Sequence, residues 1–246
     1  MPDVMPRTNP STGGTPPADL DRLHVLVPLR SFVGGKARLG EAIDAEERET
    51  LLRGMLWRTL ATVTQWPATR AVHLVSMDGD ALAAARPDRA PGLGLAPIRP
   101  LLQPEEGLNE ALTIARDDAV RGGATAVLML PADLPLLSGE ALDLLLEAAD
   151  AALAAGHGRP VVVVAPSDAR GGTNALLLSP PAVIPPSFGS ASLEAHLRAA
   201  KKADASLQVV DDPRLGFDLD TPEDLERLEP SLLEELAALG AVRGAP

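Results

Sequence analysis

The chain contains no cysteine and only four histidines in 246 residues. Without cysteine it can form no disulfide, no thiolate nucleophile, no cysteine-ligated zinc site and no iron–sulfur cluster. The histidines stand at positions 24, 73, 157 and 196, so no two of them have the i, i+4 spacing of a helical metal pair. These absences argue against zinc, and nothing in the sequence points to an oxidising compartment.

Positive charge and long apolar runs are also scarce. Lysine and arginine total 22 against 34 acidic residues, which gives a net charge of −12. A broad basic surface for nucleic acid or anionic membrane is therefore not expected, and any phosphate site must be local. No apolar run approaches the ~20 residues of a membrane span, and the N-terminus lacks the basic-then-apolar order of a signal peptide. We expect a cytoplasmic protein with no nucleic-acid or membrane partner.

The length and the 46% hydrophobic content suit one α/β domain with a well-buried core. Residues 1–22 are rich in proline, glycine, serine and threonine, and they have too few large apolar groups to offset the entropy of ordering. We predict a disordered tail over residues 1–22 and one domain over residues 23–246. The proline- and glycine-rich stretch Arg86–Pro97 indicates a surface connection within that domain.

Short apolar runs alternate with amphipathic segments, which predicts βαβ units. The run Val161–Val164 is unbroken valine, as suits a strand that is covered on both faces. We predict a single Rossmann-like α/β domain with a mostly parallel central sheet and helices on both faces. The predicted strands are His24–Pro28, Ala71–Ser76, Ala126–Leu130, Val161–Ala165 and Ala175–Leu178; the predicted helices are Asp44–Val63, Leu108–Val120, Ser138–Ala155, Ser192–Lys202 and Thr221–Leu228.

A basic loop follows the first predicted strand, at the sheet edge where open α/β folds bind ligands. Arg30, Lys36 and Arg38 fall within nine residues, and two adjacent glycines would let the backbone approach an anion. The loop is not a Walker A motif, because Arg30 and Ala37 stand where that motif needs glycine and a hydroxyl. It is either a phosphate-binding loop or a solvated basic loop.

Acidic residues mark two further segments. Asp133 lies between two prolines directly after the strand Ala126–Leu130, and Asp218 and Asp220 precede the last predicted helix. In an extended segment the carboxylates of Asp218 and Asp220 would point to one face. Such carboxylates suit Mg²⁺, which takes oxygen ligands and keeps waters and substrate phosphates in its shell. The alternative is a turn or helix-capping role for Asp133 and Asp220.

Two segments rich in small residues complete the candidate set. Gly172 and Thr173 precede a predicted strand, and Gly189 to Ser192 lead into a predicted helix, whose free N–H groups and dipole attract anions. His196 lies one turn after Ser192 on the same helix face. A second phosphate site is one interpretation. The alternatives are a turn, a serine N-cap, and a histidine with a packing or surface role.

Taken together, these segments resemble the guanylyltransferases of coenzyme F420 biosynthesis, which join GMP to a small phosphorylated acid. The resemblance spans nearly the whole predicted domain. It rests on VPLR…GGKARL, EGLNEAL, PADLP, GGTNALLL, SFGSASLEAHLRAA and FDLDTPEDL, in that order. PADLP and DTPEDL also occur in other Rossmann-like nucleotidyltransferases, whereas GGTNAL followed by FGxxSxxxH is more specific.

The resemblance implies transfer of GMP from GTP to the phosphate of phosphoenolpyruvate or 2-phospho-L-lactate, with release of pyrophosphate and with Mg²⁺ as cofactor. Its implied partners are GTP and a small phosphorylated carboxylic acid, and its implied catalytic residues are Lys36, Asp133 and Asp220. The implied binding residues are Arg30, Lys36, Arg38, Leu108 and Asn109 for the nucleotide, Thr173, Gly189 and Ser192 for the acceptor, and Asp133, Asp218 and Asp220 for the metal.

The resemblance favours phosphoenolpyruvate as the acceptor, since the alanine- and proline-heavy composition is typical of bacteria and bacterial members of the family are mostly associated with that acid. Other functions stay open from the residues alone. They are a nucleotidyltransferase of the molybdenum-cofactor or sugar-phosphate type, a nucleotide-sugar glycosyltransferase, and a non-catalytic nucleotide-binding module. The last would be expected to lack the metal-binding acids, which this chain has.

Overall fold

A seven-stranded sheet forms the centre of the computed structural model, which describes residues 18–29, 31–32, 35–84, 94, 96–104, 106–168 and 171–242. Its strands are β1 (Leu23–Pro28), β2 (Thr69–Ser76), β3 (Ile98–Leu102), β4 (Ala126–Met129), β5 (Val161–Pro166), β6 (Thr173–Ser179) and β7 (Ser206–Val209). Their order is β3-β2-β1-β4-β6-β5-β7. Strand β6 runs antiparallel to β4 and β5, and the other pairs are parallel. The predicted α/β fold with a mostly parallel sheet is confirmed.

Helices connect the strands and cover both faces of the sheet. They are α1 (Ala45–Gln65), α2 (Gly79–Ala84), α3 (Leu108–Arg121), α4 (Gly139–Gly156), α5 (Ser192–Lys202), α6 (Pro213–Gly216), α7 (Pro222–Glu226) and α8 (Pro230–Val242). The five predicted strands and five predicted helices are present, with ends that differ by a few residues. The sequence interpretation missed β3, β7, α2, α6 and α8. No helix among the described residues is long and apolar enough to cross a membrane.

The two faces of the sheet have separate apolar cores, because successive strand side chains point to opposite sides. Val163 packs in the core that α1 and α4 cover, whereas Val162 and Val164 pack in the core that α3 and α5 cover. All residues of the valine run are buried. The prediction that this strand is covered on both faces is therefore confirmed.

Helix α8 packs closely on α1 beside a third apolar cluster. A Cβ placed at Gly54 of α1 would lie 1.9 Å from the carbonyl oxygen of Leu236, so no larger residue fits this crossing. The same cluster buries Phe217 and Leu219 against Met55. These two apolar side chains anchor the segment that carries the acidic residues 218 and 220 beside the sheet.

The N-terminal part of the described chain is held against the domain. The Asp19 N–H donates to Ser179 Oγ (2.9 Å), and the Arg22 N–H donates to Thr125 Oγ1 (3.1 Å). Contacts with the domain thus begin within the predicted tail, a few residues before Leu23. Residues 1–17 of that tail lie outside the described residues, as does most of the predicted surface connection 86–97.

Candidate active site

The candidate site residues meet at the carboxyl edge of the sheet. Lys36 follows β1 and Asp133 follows β4, so both lie where parallel strands end. Thr173 reaches the same edge at the start of its strand, because β6 is antiparallel. The segment between α6 and α7 brings Asp218 and Asp220 to this edge from the C-terminal part of the chain.

Lys36 lies at the centre of this group. Its ammonium nitrogen Nζ contacts the carboxylates of both Asp133 and Asp220. The residue has φ 50° and ψ 49°, a left-handed backbone conformation that residues other than glycine rarely adopt. It precedes a single 3₁₀ turn, Ala37–Glu41, whose Leu39 is fully buried. Lys36 is thus positioned by a strained backbone and a buried anchor three residues later.

The two carboxylates keep the lysine charged. Burial by itself would lower the pKa of the Lys36 ammonium, but the charges of Asp133 and Asp220 outweigh burial and raise that pKa above its usual value. The side chains are about one-fifth to one-quarter exposed, so water screens the three charges only in part. The arrangement is a compact cationic bridge between two anions.

A third carboxylate lies beside this bridge. Asp218 Oδ1 accepts a hydrogen bond from Ser167 Oγ (3.0 Å) at the end of β5. Burial and then the negative charge of Asp133 raise the pKa of Asp218, against the hydrogen bond from Ser167. The Leu219 N–H also donates to the Asp133 carbonyl (3.1 Å), which ties the two acidic segments together. The structure thus brings together the three acidic residues that the sequence singled out.

One oxygen of this cluster is unsatisfied. Asp133 Oδ1 is buried and has no hydrogen-bond partner among the described residues. Within the described ranges, no three carboxylate or imidazole groups already have the arrangement of a metal site. Since Lys36 bridges Asp133 and Asp220, its ammonium supplies the positive charge that a cation would otherwise provide.

Neither Asp133 nor Asp220 caps a helix with its side chain. Ser138 caps α4, and its Oγ accepts from the Ala141 N–H (3.3 Å). Thr221 caps α7 in a reciprocal box with Asp224. The capping alternative for Asp133 and Asp220 therefore does not account for their side chains.

A second cluster joins β6 to α5. His196 is fully buried, and its Nε2 accepts the Ser187 N–H (3.0 Å). The proton of the neutral ring must then be on Nδ1, which lies 3.0 Å from Thr173 Oγ1 and donates to it. Burial lowers the pKa of His196 to about 4, so the ring is neutral at pH 7. His196 is a buried, hydrogen-bonded residue rather than a surface one.

Ser192 differs from an ordinary N-cap serine. The cap of α5 is Ala191, with no side-chain hydrogen bond, and Ser192 is the first residue of the helix. The residue is 1% exposed, and within the described part of the chain its Oγ has no hydrogen-bond partner. Gly189, just before it, has φ 127°, a value that favours glycine. A buried hydroxyl with no partner at a helix N-terminus is available to a ligand.

The two clusters are neighbours. A Cβ placed at Gly172 would lie 3.4 Å from Ser167 Cβ and 3.9 Å from Ser192 Oγ. Ser167 in turn bonds Asp218, so only one glycine and one serine separate the carboxylates from the hydroxyl cluster. The sequence interpretation missed Ser167, because its place beside Asp218 depends on where β5 ends in the folded sheet.

The remaining predicted residues are less closely grouped. Arg38 is exposed and has no ion pair within the described part of the chain, and Arg30 lies outside the described residues. The side-chain amide of Asn109 accepts from the Phe188 N–H (2.7 Å) and donates to the Phe188 carbonyl (3.1 Å). Asn109 thus fixes the start of α3, next to Leu108, against the loop before α5. A cavity of about 480 Å³ adjoins it, lined by Pro104, Asn109, Glu110, Thr113, Ile114 and Pro186.

Comparison with solved structures agrees with this fold. A protein from Desulfovibrio desulfuricans G20 named for the nucleotide-diphospho-sugar transferases has a TM-score of 0.66 at 18% identity, over 89% of this chain and 96% of that one. The CMP:2-keto-3-deoxy-manno-octonic acid synthetase solved with CTP has a TM-score of 0.51 at 13% identity, over 89% and 98%. At these identities the likeness concerns the fold alone.

Relatives found by sequence are more similar to this chain than these solved structures are. A phosphoenolpyruvate guanylyltransferase of Rubrobacter xylanophilus is 43% identical over 85% of this chain and 94% of its own length. A 2-phospho-L-lactate guanylyltransferase of Methanobrevibacter smithii is 28% identical over 84% and 83%. The family model described as "Guanylyl transferase CofC like" matches residues 23–229. With that match and a 43% identical relative, the chain belongs to the CofC-like guanylyl transferase family.

Proposed function

We propose that the protein transfers GMP from GTP to the phosphate of phosphoenolpyruvate and releases pyrophosphate, as a step in coenzyme F420 biosynthesis. Relatives up to 43% identical carry the name phosphoenolpyruvate guanylyltransferase. The observation that carries the proposal is the adjacency of two clusters. A lysine with three carboxylates lies next to a buried hydroxyl cluster at a helix N-terminus, so one site has groups for a nucleotide triphosphate and for a second phosphate.

The acidic cluster fits Mg²⁺. Asp133 Oδ1 is buried with no partner in the described ranges, and hard carboxylate oxygens are the ligands that Mg²⁺ prefers. Asp133 and Asp220, with Asp218 beside them, would hold the ion. When bound, Mg²⁺ would neutralise phosphate charge and orient the triphosphate. Lys36 bridges the two carboxylates in this structure, so we infer that its ammonium moves onto the triphosphate when nucleotide and metal bind.

The basic loop would complete the nucleotide site. Lys36 and Arg38 would bind the triphosphate, and Arg30 belongs to the same proposal from its place in the sequence. The segment around Leu108 and Asn109 would meet guanine or ribose beside the 480 Å³ cavity. Because the Asn109 amide is engaged with Phe188, we assign it the task of positioning this segment.

The hydroxyl cluster would bind the acceptor phosphate. His196 donates its Nδ1 proton to Thr173 Oγ1, so the Thr173 hydroxyl proton remains free to point at a ligand oxygen. Among the described residues Ser192 Oγ is a second donor with no partner, and the positive end of the α5 dipole would favour a phosphate there. Gly189 allows the backbone to approach the phosphate closely.

The chemistry needs alignment and charge neutralisation rather than a base. An oxygen of the acceptor phosphate attacks the α-phosphorus of GTP, and the bond between that phosphorus and the bridging oxygen to the β-phosphate breaks. The electron pair leaves with pyrophosphate. Because the acceptor phosphate is already ionised at neutral pH, no side chain has to remove a proton. Catalysis then rests on holding two polyanions in line, and we place this GTP-dependent reaction in the cytoplasm.

The choice of phosphoenolpyruvate over 2-phospho-L-lactate is the most detailed part of the proposal. The two acids differ by a planar methylene carbon against a tetrahedral carbon bearing a methyl group. A pocket distinguishes such shapes by only ~1–3 kcal/mol. The more similar relatives are named for phosphoenolpyruvate, and this supports our choice.

A pyrophosphate-release screen tests the proposal. The purified full-length chain with Mg²⁺ is given GTP, CTP, ATP or UTP, each with phosphoenolpyruvate, 2-phospho-L-lactate or 3-phosphoglycerate. We expect the highest rate with GTP and phosphoenolpyruvate. A faster reaction with 2-phospho-L-lactate at equal low concentration would overturn the acceptor alone. No pyrophosphate release with any pair would overturn the reaction.

A further inference from the structure

A second polar pocket lies at the opposite edge of the sheet, where β1, β2 and β3 begin. It has a volume of about 310 Å³ and is lined by Arg22, His24, Arg70, Ala71, Arg99 and Gly122. The proposed transfer site lies beyond the other ends of the same strands, so the two sites are separated by the length of the sheet. Nothing in the proposed reaction uses this pocket, which we call the arginine pocket.

The charge of the arginine pocket is not balanced by acids. Among the described residues no carboxylate forms an ion pair with Arg22, Arg70 or Arg99. The nearby carboxylate of Asp118 is already paired with Arg121, 3.0 Å away. Arg22 Nη2 donates to the Gly122 carbonyl (3.0 Å), which leaves its charge uncompensated. Three guanidinium groups around one cavity without a paired carboxylate among the described residues are unexpected in a chain whose net charge is −12. Such a cluster has a positive potential that attracts an anion.

A buried histidine forms the base of the pocket. His24 is 3% exposed, and its Nδ1 lies 2.9 Å from His73 Nε2. A Cβ placed at Gly122 would lie 3.2 Å from Arg99 Nη1 and 3.4 Å from His24 Cε1, so the guanidinium and the imidazole border the same space. His24 therefore faces a potential ligand together with at least one arginine.

The hydrogen-bond chain behind His24 sets the proton positions. His73 Nδ1 lies 3.1 Å from Asp118 Oδ2, in a bent contact, and a carboxylate there requires a proton on Nδ1. His73 Nε2 is then an acceptor for the His24 Nδ1 proton. The remaining nitrogen of neutral His24, Nε2, then carries a lone pair, and His24 is part of the pocket lining. Burial, and then the charges of Arg99 and Arg22, lower the pKa of His24, which keeps the ring neutral at pH 7.

We propose that the arginine pocket binds a small anion with a phosphoryl group, at a site separate from the transfer site. The guanidinium groups match phosphate oxygens in charge and geometry. A phosphate that still carries a proton near neutral pH can donate it to His24 Nε2, whereas sulfate has no such proton. The shared chemistry is met by inorganic phosphate, by pyrophosphate and by a phosphorylated acid.

Histidine NMR of the full-length protein tests the proposal, because the chain has only four histidines. His24 reports on the arginine pocket and His196 on the hydroxyl cluster of the transfer site, so one titration separates the two. Inorganic phosphate, pyrophosphate and phosphoenolpyruvate are titrated in turn. We expect each productive ligand to shift the His24 signals to saturation, and the ligand of highest affinity identifies the source of the phosphoryl group.

Substitutions and a matched anion sharpen the test. Arg99→Gln should weaken phosphate binding at His24 about tenfold or more, since it removes a charge-assisted hydrogen bond, and it should leave the His196 response unchanged. Arg159→Gln is the control, because Arg159 precedes β5 at the same sheet edge and is about half exposed. The proposed site would be wrong if none of the three anions shifted the His24 signals, or if the shifts were equal in wild type and Arg99→Gln. An equal response to sulfate would overturn its assignment to a phosphoryl group. None of these outcomes depends on the transfer reaction.

Discussion

The imidazole of His196 fixes the hydroxyl of Thr173. Its Nδ1 lies 3.0 Å from Thr173 Oγ1, and its other nitrogen is held by the Ser187 N–H, also at 3.0 Å. The ring is fully buried, with the Phe188 ring edge-on at 5.2 Å between centroids. A single tautomer satisfies both hydrogen bonds, so the Thr173 hydroxyl proton must point away from the ring. We infer that His196 is a positioning residue for the acceptor site.

His196→Phe should raise the KM for phosphoenolpyruvate by about tenfold, with the KM for GTP nearly unchanged. The substitution removes two hydrogen bonds, each with a net value of roughly 1 kcal/mol, and it frees Thr173 to rotate. Steady-state kinetics with each substrate varied in turn measure the two KM values. His157→Asn is the control, because His157 is exposed at the end of α4. An equal rise in both KM values would show a general loss of structure instead.

Stability should fall as the pH is lowered from about 6.5 to about 4. His73 and His196 are fully buried, and burial is the first cause that lowers the pKa of each from 6.5 to about 4. In this pH window the unfolded chain binds protons that the folded chain does not, so the free energy of unfolding increases with pH. Each histidine contributes a slope of at most about 1.4 kcal/mol per pH unit.

Urea unfolding at a series of pH values measures this slope. His196→Asn should be less stable than wild type at neutral pH but should show a shallower dependence across the same window. A variant slope equal to that of wild type would mean that His196 is protonated in the folded protein.

Ser192→Ala should separate stability from binding. The Ser192 hydroxyl is buried and has no partner in the part of the chain that the structure describes. Its removal relieves an unsatisfied polar group and should leave the melting temperature equal or slightly higher. The same change should raise the KM for phosphoenolpyruvate roughly tenfold, the effect of one hydrogen bond to a charged group. Thr173→Val should also raise this KM more than that for GTP. A Ser192→Ala protein that is destabilised but kinetically normal would contradict the assignment.

Lys36→Met should increase Mg²⁺ affinity in the absence of nucleotide. The Lys36 ammonium contacts Asp133 and Asp220 and therefore competes with a cation for the same oxygens. Calorimetric titration with Mg²⁺ measures the affinity in both proteins. Turnover of the variant should nevertheless fall by at least about a hundredfold, because the triphosphate loses a cationic contact. Weaker Mg²⁺ binding in Lys36→Met would contradict competition between the lysine and the metal.

Asp133→Asn and Asp220→Asn should each lower kcat by about a hundredfold or more while the fold survives. A carboxamide cannot provide the negative charge that a divalent cation requires, and loss of one strong electrostatic contribution has this scale. Asp150→Asn, at an exposed position of α4, is the control. Near-normal rates at saturating Mg²⁺ in both variants would remove these residues from the metal site.

The sequence predicted the central part of the fold well because periodicity and helix capping are local signals. The edge strand β3 was missed because its segment, IRPLL, contains a proline and few core positions, which an edge strand tolerates. The direction of β6 was also not predictable. An apolar run such as Ala175–Leu178 has the same pattern whether its neighbours are parallel or antiparallel.

For the site, the sequence identified the charged residues but not their arrangement. Proline and glycine punctuation singled out Asp133 and the loop of Lys36, yet their contact joins residues 97 positions apart. The role of His196 was open because a single helical histidine has no local signal for burial. Ser167 was missed because its importance comes from β5 ending beside Asp218, which only the folded sheet shows.

Transfer of the α-phosphorus of GTP is the central claim, and labelled GTP tests it most directly. The full-length protein is incubated with Mg²⁺, phosphoenolpyruvate and GTP labelled at the α-phosphorus, and the products are separated by anion exchange. We expect the label to move into a new product that forms only when phosphoenolpyruvate is present, with one pyrophosphate released for each product formed. Label that stays in GTP, or that appears as free GMP whether or not the acid is present, would contradict guanylyl transfer.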